Sequence, residues 1–109
     1  MIVFRTDLEC SPTLIRVSQF VDLTFEARSH RRTDIEIKFN LPTGDTTTWS
    51  NGLHEITFRD VATRFFQNYS QQIEVIIVNN NPRTLIIDVT VTDLTDGTMS
   101  ISSGNLNIS

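Results

Sequence analysis

From Asp34 to Leu41 every second residue is apolar. Ile35, Ile37, Phe39 and Leu41 fall on one side, and Asp34, Glu36, Lys38 and Asn40 on the other. Successive side chains of a strand point to opposite faces, so this spacing describes a strand with one face in a core and one in water. A weaker alternation runs through Ile2 to Leu8 and predicts a first strand. A longer apolar row comprises Ile15, Val17, Val21, Leu23, Phe25 and Ala27, and it is interrupted at Gln19-Phe20. The interruption predicts a bulge or a break, hence either two strands or one long bent one. Leu53–Phe58, Ile73–Val78 and Leu85–Val91 follow, the last two carrying apolar residues on both faces, as central strands do, and Met99 and Ile101 alternate with Thr98, Ser100 and Ser102 in a last stretch. The segment Ile73–Leu94 is expected to be the most stable unit.

Helix-forming material is scarce. Ala27 and Ala62 are the only alanines, while Val, Ile and Thr, which suit pleated surfaces, are abundant. One segment departs from the rule. In Asp60–Tyr69 the apolar positions 61, 62, 65, 66 and 69 form a helical stripe, with Asp60 placed as an N-cap. This predicts one short helix near 60–69 that covers an open end of the core.

The connections carry turn chemistry. A hairpin tip is expected between Ala27 and Asp34, and a long loop over Thr43–Gly52, with Asn51-Gly52 as its turn pair. A hairpin turn is expected at Asn79–Arg83 and another at Asp93–Gly97. After Ser103-Gly104 the apolar parity changes from Met99 and Ile101 to Leu106 and Ile108, which predicts a bulge or tight turn at Gly104. With 109 residues the chain suits one domain, 1–109. The expected fold is mainly β: a seven- to eight-stranded antiparallel β-sandwich of Greek-key or jelly-roll type with one helix, a closed barrel being the alternative.

The chemistry-bearing residues are few. The formal charge is -4, and a general nucleic-acid binder carries a basic footprint, so no nucleic-acid partner is expected. No apolar run reaches the ~18 residues of a membrane span, and no membrane partner is expected. The start lacks the charged and apolar regions of a signal peptide, which predicts synthesis and folding in the cytoplasm. Cys10 is the only cysteine and has no obvious His or Asp partner, so it reads as an idle thiol. His30 reads as a solvated tip residue and His54 as an outward polar side chain of a strand. No nucleophile elbow, P-loop or dinucleotide fingerprint is present, so no catalytic residue, metal ligand or cofactor is assigned. Asp93, Asp96 and Gly97 could contribute to a calcium site, but the same residues make an ordinary Asx-capped turn.

What remains is suited to contact. Trp49 lies in the 43–52 loop with Asp45 and Asn51 nearby, as a lid on the core, a protein hot spot or a sugar platform. Arg28, His30, Arg31 and Arg32 cluster in the 27–34 connection, where they could meet phosphate or a partner's carboxylates, or simply be solvated. Arginine outnumbers lysine eight to one, and its planar fork suits interfaces. These features predict a non-enzymatic structural or assembly protein whose partner is itself or a larger assembly, as a homo-oligomer or lattice component. In general style it is similar to virion components such as bacteriophage capsid decoration or cement proteins and tail or fibre modules. A carbohydrate-binding module using the 43–52 loop is the alternative, and a small enzyme comes last.

Overall fold

A computed structural model describes residues 1–109. The structure is mainly β, without a helix, in two curled sheets, an arrangement compatible with a β-sandwich. The strands are β1 (Ile2–Phe4), β2 (Glu9–Ser11), β3 (Leu14–Ile15), β4 (Gln19–Ser29), β5 (Thr33–Asn40), β6 (Thr48–Trp49), β7 (Glu55–Ala62), β8 (Gln67–Ile76), β9 (Arg83–Asp93) and β10 (Met99–Ile108). In the first sheet, β1 and β2 share one edge of β4, followed by β8 and β6; the second sheet runs β3-β10-β9-β5-β7. All pairs are antiparallel except β3 with β10. There are ten strands, against the seven or eight expected, because short pieces are split off at 9–11, 14–15 and 48–49.

The alternating rows do what their period requires. Ile35, Ile37, Phe39 and Leu41 are buried, as are Val21, Leu23, Phe25 and Ala27, and the core unites 23 apolar residues from both sheets. Aromatic rings tie the layers together. Phe25 of the first sheet lies 6.3 Å from Phe39 of the second, edge to face, and stacks on Tyr69 at 5.2 Å. Phe39 continues the chain of rings to Phe58 and Trp49.

Several expectations are corrected. The 60–69 segment is no helix: β7 runs through Ala62, a turn follows, and β8 starts at Gln67. Ala62 and Tyr69 enter the core from different sheets, while Phe65 is 79 % exposed and Phe66 lies under Arg28 and Arg5. The helical stripe is thus a coincidence of two strand ends, in a segment whose Val, Thr, Phe and Tyr favour extended backbone. Asp60 caps no helix: its carboxylate accepts from the neighbouring Val61 N on the strand at 2.7 Å. The break at Gln19-Phe20 resolves into two strands, with Val17 and Phe20 both exposed. The 27–34 and 79–83 connections are not hairpins, since β4 and β5, and likewise β8 and β9, belong to different sheets and are joined by arches.

Gly104 marks no bulge either. The β9–β10 register is continuous from Met99 opposite Thr92 to Ile108 opposite Arg83. Met99 and Ile101 simply face outward, each 66 % exposed. The inner face of β10 carries Ser100, Ser102 and Gly104 because the chain entering β2 crosses against it. Leu8 N donates to Ser103 O at 3.2 Å, and a Cβ at position 104 would overlap the Leu8 carbonyl oxygen and lie 2.9 Å from its carbon. This crossing closes one side of the two-sheet frame. The Gly104→Ala variant should lose roughly 1–3 kcal/mol of stability in urea unfolding, as overpacked sites do. An unchanged midpoint would contradict the close approach.

Candidate functional site

The residues singled out in the sequence sit at two sites far apart in the chain. In the 43–52 loop, Trp49 is fully buried (0 % exposed), and its Nε1–H donates to Phe39 O at 3.2 Å and His54 O at 3.1 Å. An indole whose faces and N–H are both engaged inside the fold is a lid on the core, and it is not available to a sugar ring or a partner. Asp45 and Arg83 form a two-pronged ion pair, Nε to Oδ2 at 2.7 Å and Nη2 to Oδ1 at 2.9 Å. Thr47 adds its amide to Asp45 Oδ1 and its hydroxyl to Arg83. The Arg83 guanidinium holds the Asp45 carboxyl well below the usual carboxylate range against the opposing effect of burial. His54 does not point to water: its Nε2 lies 2.7 Å from Asp45 O. Asn51 accepts from Leu53 N and donates to Glu55 O, and Gly52 takes the positive φ of 77° that the turn requires. The loop is bolted to the frame through side chains of high chemical character.

The arch cluster is engaged as well. Arg28 lies 4.8 Å over the Phe66 ring, Arg31 Nη1 donates to His30 Nε2 at 2.7 Å, and Arg32 is exposed. Arg31 also reaches Asp93 Oδ2 and Asp96 Oδ2, at 3.7 and 3.6 Å. Asp93 is fully buried at the end of β9. Its Oδ1 accepts from the Thr33 hydroxyl at 2.7 Å and Thr95 N at 2.9 Å. Burial pushes its carboxyl up, but those donors and Arg31 outweigh it, and the net shift is downward. Asp96, bonded to the Thr98 hydroxyl and amide, is lowered to about 2. The Asp93–Gly97 segment is a turn, with Gly97 N on Asp93 O and a φ of 75° at Gly97. Its two carboxylates face an arginine, and no third His, Cys, Asp or Glu joins them in a group that could hold a metal. Burial raises the Cys10 thiol to about 11, which keeps it protonated and unreactive.

The side of the frame opposite the Leu8 crossing stays open. Here β7 is an edge strand of the second sheet, and β8 is paired on that side only at Val75 and Ile76, by β6. Phe58, Arg59, Asp60, Tyr69, Ser70 and Gln71 line the gap, whose solvent-sized space of about 30 Å³ suits a single water and no larger ligand. The backbone direction of β7 follows from its ends. Leu41 N donates to His54 O, so alternate residues from His54 onward turn their N–H and C=O toward β5, and Glu55, Thr57, Arg59 and Val61 turn theirs outward. The bonds from Asn51 to Glu55 O and from Tyr69 Oη to Val61 O agree. Sequence reading missed this edge, because pairing partners are not written in local alternation.

No protein-family model matches the chain, and no curated protein matches it.

Two outcomes test the loop. Trp49→Ala should destabilise by about 3–5 kcal/mol, whereas Trp49→Phe should keep most of that packing and lose mainly the N–H bonds. A folded Trp49→Ala variant of native stability would show that the indole is no lid. For Asp45 the folded pKa is depressed, so its contribution is present above the unfolded value of about 4 and lost as pH falls below it. The stability gap between the natural chain and Asp45→Asn should therefore narrow as pH drops through that value. A gap constant across the acid range would contradict the ion pair.

Proposed function

We propose that the protein is a non-enzymatic structural or assembly subunit that works through protein–protein contacts. The specific form we favour is a virion component, such as a bacteriophage capsid decoration or cement protein or a tail or fibre module, on a β-sandwich of Greek-key or jelly-roll type. Its partners are copies of itself or a larger lattice.

The observation that carries this reading is where the apolar surface lies. Val17, Phe20, Phe65, Val78, Met99 and Ile101 are each more than half exposed, while the inward faces of the sheets form one buried apolar core. Met99 and Ile101 stand two residues apart on one outward strand face. Single exposed apolar residues are ordinary, but neighbouring ones on a rigid strand suit a contact surface better than they suit water. The polar residues that a binding or catalytic site would use, Asp45, His54, Asp93 and Arg83, are instead spent on internal bonds. The buried indole of Trp49 removes the feature on which the carbohydrate reading rested.

Native mass spectrometry and light scattering of the purified chain, with a glycan array alongside, test the proposal. Concentration-dependent association is expected, and Met99→Ser with Ile101→Ser should weaken binding to the assembly without lowering stability. A stable monomer that binds an oligosaccharide tightly would overturn it.

A further inference from the structure

The free edge of β7 has a property that its sequence makes specific. Edge strands are normally blunted by proline, lysine, a bulge or a covering segment. β7 is Glu-Ile-Thr-Phe-Arg-Asp-Val-Ala, has neither proline nor lysine, and pairs with β5 in unbroken register from Ala62 opposite Thr33 to Glu55 opposite Asn40. Its outward N–H and C=O groups belong to Glu55, Thr57, Arg59 and Val61. The far end is closed: Val61 N is held by the Asp60 carboxylate and Val61 O by the Tyr69 hydroxyl. Asn51 takes one lone pair of Glu55 O and leaves the second. The usable window is therefore Glu55 to Arg59, centred on Thr57.

That window reads the same in both directions across a two-fold axis. If two β7 edges meet antiparallel with Thr57 opposite the partner's Thr57, Glu55 falls opposite the partner's Arg59, and Arg59 opposite the partner's Glu55. Ile56 falls opposite the partner's Phe58, and His54 opposite the partner's Asp60. The Glu55–Arg59 pairings match opposite charges and the Ile56–Phe58 pairings match apolar with apolar, the combinations that stabilise neighbouring strands. The register also agrees with the backbone: the residues brought into hydrogen-bonded pairs, 55, 57 and 59, are those whose N–H and C=O already point outward. A slip by two residues loses the match, setting Ile56 against Asp60. Within one chain Glu55 and Arg59 are about 13 Å apart along the strand, too far to satisfy each other; both are exposed, with Glu55 only loosely paired to Lys38 at 4.0 Å and Arg59 opposite Glu36 on β5.

We infer that β7 is a homotypic docking edge, through which a second copy of this chain adds antiparallel about Thr57 and continues the second sheet across the two-fold axis. The inference rests on the assembly reading above and gives it a defined interface. An edge of this length falls well short of the ~1,600 Å² of a standard interface, so the isolated pair is a weak dimer that a lattice would reinforce.

The test is charge exchange on the full chain, read by sedimentation across a wide concentration range, with circular dichroism to verify folding. Arg59→Glu and Glu55→Arg alone should each raise the dimer dissociation constant about tenfold or more, since each symmetric dimer contains the ion pair twice. The combined Glu55→Arg/Arg59→Glu variant should bring the value back toward the original, because the swap rebuilds the pair between chains even though it sets like charges against Lys38 and Glu36 within each chain. Independently, Thr57→Cys should cross-link to itself under mild oxidation while Thr84→Cys does not; Cys10, being buried, stays silent. Self-association that ignores both charge variants and leaves Thr57→Cys uncross-linked would overturn the β7 edge and leave the assembly reading standing. A chain monomeric at every concentration would overturn the edge as well, and tight glycan binding by that monomer would remove the assembly reading with it.

Discussion

Phe25 and Phe39 meet edge to face in the gap between the two sheets, and the rest of the molecule is organised around that contact. Each ring is fully buried, Phe25 inside β4 and Phe39 next to the end of β5, and alternate residues of both strands are apolar. A shift of either strand by one residue would turn its whole apolar row to water, so burying these rings sets the register of β4 against β8 and of β5 against β7 and β9. Trp49 and Tyr69 extend the same packing in opposite directions, and the loop and strand that carry them are held through ring contacts and through their polar tips.

Strand content was legible because burial writes a period of two into the chain, and the rows at 21–27 and 35–41 are unambiguous. Connections were less so. Whether two strands pair directly or arch between sheets depends on how the layers stack, and the Asn79–Arg83 turn chemistry is compatible with either. The 60–69 stripe illustrates the same limit: five apolar positions in a short window match a helix, yet Ala62 and Tyr69 serve different sheets. At Gly104 the apparent change of parity arose because the Leu8 backbone lies so close to the inner face of β10 that no side chain fits there. Of the three roles the sequence leaves open for Trp49, the lid on the core is the one that its burial supports. Asp45 could not be assigned from sequence because its partner Arg83 lies 38 residues away. The two arginine-rich and acidic turns likewise satisfy each other through Arg31, a pairing that only the arch between sheets creates.

The distribution of strong interactions is uneven in a way that bears on function. Both candidate clusters are engaged internally, one by Asp45 with Arg83 and the other by Asp93, whose Oδ1 is bonded to Thr33 and Thr95 while its buried Oδ2 makes no hydrogen bond and has Arg31 at 3.7 Å. One side of the frame is sealed by the Leu8 crossing. The outward backbone groups of β7 lie on the opposite side, with the exposed Glu55 and Arg59 beside them. On that side β7 and residues 67–74 of β8 are the unpaired strand edges.

The amide exchange pattern of Glu55–Ala62 tests this account most directly, because it reports the strand, its pairing partner and its free edge together. In dilute solution Ile56, Phe58 and Asp60 should be protected by β5 while Thr57 and Arg59 exchange freely, and protection at those two should rise with protein concentration. Continuous protection running on through residues 63–69, as in a helix, or fast exchange at Thr57 and Arg59 at every concentration, would contradict it.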